Sequence, residues 1–131
     1  MSGPILAMVL FHVLQVFLVP ALRYGMASED SVMANALYTL GPRDEGEPTN
    51  PLVERAVRAQ RNLQETLPAF YAAALLAHVE GAAPLAVTAG WAYVAARLVY
   101  LPMYLGGVPG LRTASFAVSL AAVGAIVATL I

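Results

Sequence analysis

Four stretches of this chain, residues 4–22, 63–79, 84–105 and 114–131, are apolar over lengths that match a lipid bilayer. A hydrocarbon core about 30 Å thick takes about 17–25 helical residues. The second stretch reaches that length if its helix begins near Pro51. In lipid, only helices or a closed barrel satisfy the backbone, and nothing here alternates with a period of two. The expectation is a single all-α domain over residues 1–131, a four-helix transmembrane bundle with helices at about 4–23, 51–79, 84–105 and 112–131. Composition agrees, with 60% of residues hydrophobic and 11% charged, against about 25% charged in soluble domains. The N-terminus lacks a basic segment and a small-x-small cleavage site, so it reads as a retained first helix.

The cations are distributed unevenly. All seven are arginine. Arg23, Arg43, Arg55, Arg58, Arg61 and Arg112 fall in the first and third connections, while Arg97 lies inside an apolar stretch. The tight second connection, residues 80–83, and both termini hold none. Lys and Arg in short loops mark the cytoplasmic side, so connections one and three should be cytoplasmic and both termini outside. This pattern leaves no basic surface for nucleic acid. With no cysteine, disulfides, thiolate metal sites and a protein thiol nucleophile are excluded. Any thiol chemistry needs a bound molecule that brings the sulfur. No His or carboxylate pair has metal-site spacing, and no Ser-His-Asp set or phosphate loop occurs.

Two polar stripes enter the apolar region. At about 100° per residue, Arg55, Arg58, Arg61, Asn62 and Glu65 share an arc of roughly 120° on the second helix. The stripe ends at Glu65, about a turn inside the hydrocarbon, just before Pro68, which should bend or loosen the helix because it removes a backbone donor. One reading is a solvated first turn with helical ion pairs, Glu54–Arg58 and Arg61–Glu65. Asn62 and Glu65 at membrane depth favour the other, since intramembrane ionisable groups normally face an interior and mark function or a partner.

On the third helix, Tyr93, Arg97, Tyr100 and Tyr104 share an arc of roughly 60°. A lone arginine at the depth of Arg97 costs about 2.5–3.5 kcal/mol on insertion scales. Glu65 is the acid at comparable depth on that side, so a structural Glu65–Arg97 ion pair is expected. Trp91 points away from the stripe, towards lipid. Arg112-Thr113 then opens the fourth helix. A cation and a hydroxyl at a helix N-terminus favour a bound anion, although an ordinary positive-inside anchor also explains Arg112. His12 and Gln15, at i and i+3 on the first helix, should make interhelical hydrogen bonds.

The series Glu54-Arg55-x-x-Arg58-Ala-x-Arg61-Asn62-x-x-Glu65-x-x-Pro68, then Arg97-x-x-Tyr100-x-x-x-Tyr104, then Arg112-Thr113, resembles the MAPEG family. These are membrane-associated proteins in eicosanoid and glutathione metabolism. The stretches Gly41-Pro42-Arg43-Asp44 and Tyr100-Leu-Pro102-Met-Tyr104 resemble its short bacterial, microsomal glutathione transferase-like members. The resemblance spans essentially the whole chain. It implies a homotrimer in the bacterial inner membrane, with glutathione bound between subunits near the cytoplasmic face. It also implies that Arg23, Arg58, Arg61, Asn62, Glu65, Tyr100 and Tyr104 contact glutathione; Thr113, the hydroxyl beside Arg112, joins them as a candidate ligand contact. Arg112 corresponds to the arginine that stabilises the thiolate, and Tyr104 can donate its hydroxyl to the sulfur. The family's prostaglandin synthase has His where this chain has Tyr100, so that isomerase activity is not implied.

The resemblance therefore implies a glutathione transferase or peroxidase acting on lipophilic electrophiles or hydroperoxides, with glutathione as co-substrate and no metal. Arginines suit the two carboxylates of glutathione, and Glu65 suits its ammonium. The alternatives are a non-catalytic module of the same fold that binds glutathione, another anionic thiol or anionic lipid, and a membrane assembly subunit whose arginines hold lipid.

Overall fold

The computed structural model describes residues 1–25, 29–41 and 50–131. Arg43 and the rest of residues 42–49 lie outside them. Five helices run Ser2–Gly25 (α1), Glu29–Leu40 (α2), Pro51–Val79 (α3), Pro84–Leu105 (α4) and Pro109–Ala128 (α5). No strand occurs among the described residues.

Local chemistry sets these boundaries. Asn50 caps α3 by accepting from the Leu52 N–H at 2.9 Å, and Pro51 takes the first helical position, where its missing N–H is no loss. The helix then continues through Pro68 to Val79. α3 and α4 end in the same way. Gly81 and Gly107 have φ of 93° and 72°, values that glycine adopts without penalty. Just beyond them, Ala82 N–H reaches Ala77 O at 2.7 Å and Val108 N–H reaches Met103 O at 3.0 Å. These are the long bonds of a Schellman stop.

α1, α4 and α5 are long and apolar enough to cross a membrane. α3 is the longest helix at 29 residues. It falls short on composition, because Asn62, Gln64, Glu65 and Thr66 interrupt its apolar run. Leu10, Leu14 and Phe17 of α1 are 57%, 68% and 67% exposed, a single apolar face of the kind that lipid or another protein covers.

Helices α3 and α4 form the centre of the bundle. α1 packs on one side of them and α5 on the other, and α1 and α5 do not meet. The core joins Met8, Phe11, Leu63, Leu67, Phe70, Tyr93 and Ile126, with the Phe70 and Tyr93 rings stacked 4.1 Å apart. α1 comes close to α4 at Gly90, where a Cβ would meet Pro4 at 3.0 Å. Trp91 is half-exposed, as expected, and its inner edge rests on Gly3.

One element departs from expectation. Residues 23–50 read as a polar connection, yet α2 occupies 29–40. Asn35 is buried and its Nδ2 donates to Arg23 O at 3.4 Å, which ties α2 to the end of α1. His12 Nδ1 and Gln15 Oε1 have no hydrogen-bond partner among the described residues, so the interhelical bonds expected of them do not form through these atoms among those residues. The N-terminal half of α1 packs against α4 near Gly90 and Trp91, which places Arg23 at the opposite end. Arg55, Arg58, Arg61, Arg97 and Arg112 share that end, through the first half of α3, the second half of α4 and the start of α5.

Candidate functional site

At the arginine-rich end, Asn62, Tyr100, Tyr104, Arg112, Thr113 and Phe116 line an open cavity of about 270 Å³. Three helices supply these residues: Asn62 from α3, the two tyrosines from α4 and the rest from α5. The 4-residue spacing of Tyr100 and Tyr104 places them one turn apart, with ring centroids at 5.5 Å and the rings tilted by 49°. Arg112 lies over the Tyr104 ring with its guanidinium carbon 5.0 Å from the centroid. The cavity thus presents a cation, two phenols, an amide and a hydroxyl against the apolar rings. That set suits an anionic ligand with an apolar arm.

Arg97 sits behind this cavity, with only 1% of its surface exposed. Its Nη1 donates to Asn62 Oδ1 at 2.9 Å and its Nη2 to Thr66 Oγ1 at 2.6 Å. Its guanidinium carbon lies 5.4 Å from the Tyr93 centroid and 5.3 Å from those of Tyr100 and Phe116. Three ring faces and two neutral acceptors therefore hold a charge that the bilayer would otherwise penalise. Thr66 Oγ1 also donates to Leu63 O at 3.2 Å and lies 3.1 Å from Tyr93 OH. A hydroxyl has one proton and two lone pairs, so with its proton on Leu63 it accepts from Arg97 and Tyr93 and is saturated.

The expected Glu65–Arg97 ion pair does not form within the chain. Asn62 and Thr66 stand one turn apart on the α3 face that meets α4, and the guanidinium spans both. Glu65 is rotated about 60° from Asn62 and is exposed. Arg61 is also exposed. Arg58 is exposed and makes the expected pair with Glu54 at 3.2 Å. Arg58, Arg61 and Glu65 thus form an outward stripe that meets the cavity at Asn62, and they are not among its lining residues. Arg23, half-buried in the last turn of α1, does not line it either.

Arg112 and Thr113 do not open the last helix. α5 begins at Pro109, so the Arg112 N–H already bonds Val108 O at 3.2 Å and the Thr113 hydroxyl donates to Pro109 O at 3.0 Å. The guanidinium therefore supplies the positive charge here, in place of a free helix terminus.

Three residues matter more than their sequence pattern suggested. Thr66 and Phe116 complete the Arg97 enclosure. Thr66 stands one turn after Asn62, a spacing that marks it as a partner once Asn62 is placed. Phe116 carries no such signal. Arg55 Nη1 donates to Leu105 O at 2.9 Å, bracing the start of α3 against the α4–α5 turn.

A family model described as MAPEG family matches residues 1–131. No curated protein and no solved structure matches the chain.

Proposed function

Since the chain belongs to the MAPEG family, we propose that it is a membrane-bound glutathione transferase or peroxidase. The observation that carries this reading is the cavity formed by Asn62, Tyr100, Tyr104, Arg112 and Thr113. Four positions that the family resemblance assigns to glutathione or its sulfur, Asn62, Tyr100, Tyr104 and Arg112, line one open space together with the candidate hydroxyl of Thr113.

In this reading all four long helices span the bacterial inner membrane, with both termini outside and the arginine-rich end at the cytoplasmic face. The chain is a homotrimer. Its exposed Arg58, Arg61 and Glu65 stripe meets a neighbouring subunit, and glutathione lies between the two. Arginines from the stripe and Arg23 hold the peptide carboxylates by charge-assisted bonds, and Glu65 holds the ammonium. The sulfur points into the cavity, towards Arg112 and Tyr104.

A free thiol has a pKa of about 8.5, and each unit of lowering corresponds to about 1.36 kcal/mol. The Arg112 guanidinium and the Tyr104 hydroxyl favour the thiolate, with the thiol proton leaving to water. With a lipophilic electrophile, a C–S bond forms as the bond to the leaving group breaks. With a hydroperoxide, sulfur takes the terminal oxygen as the O–O bond breaks, the alkoxide leaves and takes a proton from water to become the alcohol, and a second glutathione reduces the sulfenic acid to give disulfide and water.

Binding of S-hexylglutathione to purified protein, with glutathione conjugation to 1-chloro-2,4-dinitrobenzene, tests the reading. Binding with turnover supports it. Binding without turnover favours the non-catalytic module. Neither binding nor turnover leaves the lipid-holding subunit.

A further inference from the structure

We propose that Arg97 is a positioning residue, which fixes the side-chain amide of Asn62 so that its NH2 group faces the cavity. A ligand then meets Asn62 as a hydrogen-bond donor. The identity of that ligand rests on the glutathione reading above; the orientation of the amide does not.

An asparagine side chain can present either its oxygen or its nitrogen, and the two are decided by the surrounding network. Arginine has only donors. With Arg97 Nη1 at 2.9 Å, the atom of Asn62 turned towards it is Oδ1. Asn62 also lines the cavity, and with its oxygen turned away the two Nδ2 protons remain for the cavity. A flipped amide would set a partial negative charge against an anion and two donors against a guanidinium.

The grip on Asn62 is rigid because Arg97 cannot swing. Its second arm is held by Thr66 at 2.6 Å, and the Thr66 hydroxyl is itself fixed by its bonds with Leu63 and Tyr93. Three rings enclose the guanidinium. Lysine retains the charge but lacks the planar fork, so it cannot hold Asn62 and Thr66 together in this geometry.

The chain has three asparagines, Asn35, Asn50 and Asn62, so the amide can be watched directly. In full-length protein carrying 15N-asparagine, the Asn62 amide protons are identified by their loss in Asn62→Ala. They are expected at shifted, well-separated positions that collapse towards free-amide values in Arg97→Lys. The same substitution is expected to weaken S-hexylglutathione binding about tenfold, a change of about 1.4 kcal/mol, and to add nothing in an Asn62→Ala background. An unchanged Asn62 signal in Arg97→Lys, or equal weakening in both backgrounds, overturns the proposal. If Arg97→Lys does not fold, Asn62→Asp serves instead, since it keeps the acceptor for Arg97 and removes both donors. It is expected to fold and to lose at least tenfold in binding, and wild-type affinity in Asn62→Asp overturns the assignment. Should the wild type not bind S-hexylglutathione while the Asn62 signal responds to Arg97→Lys as described, the glutathione reading fails and the role of Arg97 stands.

Discussion

Arg97 and Asn62, 35 residues apart in the chain, are joined by a 2.9 Å hydrogen bond across the α3–α4 contact. The bond does two things at once. It contributes to holding a buried cation in place, and it links the bundle core to the wall of the cavity. Thr66 carries the other arm of the same guanidinium, so stability and site geometry depend on one small group of polar atoms.

Thr66→Val should expose that dependence. It removes the acceptor shared by Arg97 and Tyr93 with little change in volume, leaving buried donors unsatisfied at about 1–3 kcal/mol each. Thermal unfolding in detergent should show a clear loss of stability. A Thr66→Val protein that melts with the wild type would mean that water or lipid headgroups satisfy these donors.

Glu65→Gln should behave differently. Glu65 is exposed and makes no ion pair with Arg97 within the chain, so its neutralisation should leave stability within about 0.5 kcal/mol of wild type while weakening glutathione binding. A Glu65→Gln loss as large as that of Thr66→Val would show that this carboxylate pairs with a cation outside the chain.

Gly90→Val should loosen the bundle at its other end. The added Cβ meets Pro4 at 3.0 Å, and forcing volume into a packed contact costs about 1–3 kcal/mol. The expected result is a lower melting temperature with little change in ligand affinity per folded molecule, because the contact is remote from the cavity. Wild-type melting would indicate that α1 shifts freely against α4.

The arginine asymmetry predicts orientation. The chain has no cysteine, so single cysteines introduced at Ser2 and at Thr49 can be labelled without background. Ser2→Cys should react with a membrane-impermeant reagent from outside, and Thr49→Cys only after the membrane is opened. Labelling of Ser2→Cys solely from the cytoplasmic side would reverse the topology and remove the cytoplasmic site with it.

Much of this architecture was legible because bilayer crossing leaves few options. The boundaries Pro51–Val79 and Pro84–Leu105 follow from prolines at helix starts and glycines just past helix ends. α2 was not legible as a helix, because its apolar residues at 32, 33, 36, 37 and 40 are few and sit in a polar segment. Tyr100 and Tyr104 share a helix face as their spacing suggests, whereas Arg112 was placed beside them by the family resemblance and not by spacing; all three line the cavity. The partner of Arg97 was misassigned because charge balance pointed to Glu65. A guanidinium can instead be held by neutral acceptors and ring faces, and one turn of helix, Asn62 to Thr66, supplies both acceptors. Phe116 was invisible for a different reason, as an apolar residue in an apolar helix shows no sign of facing a cation.

The central claim is that the cavity binds the sulfur of glutathione as an anion, with Arg112 supplying the charge. The most direct measurement is the ultraviolet absorbance of bound thiolate titrated with pH, in wild type and in Arg112→Ala. In the wild type the midpoint should lie below the free-thiol value of about 8.5, since a cation beside the sulfur favours the charged form. In Arg112→Ala it should move up, while the dissociation constant for S-hexylglutathione, which has no thiol to ionise, barely changes. The same midpoint in both proteins, or an equal loss of S-hexylglutathione binding, would contradict the account.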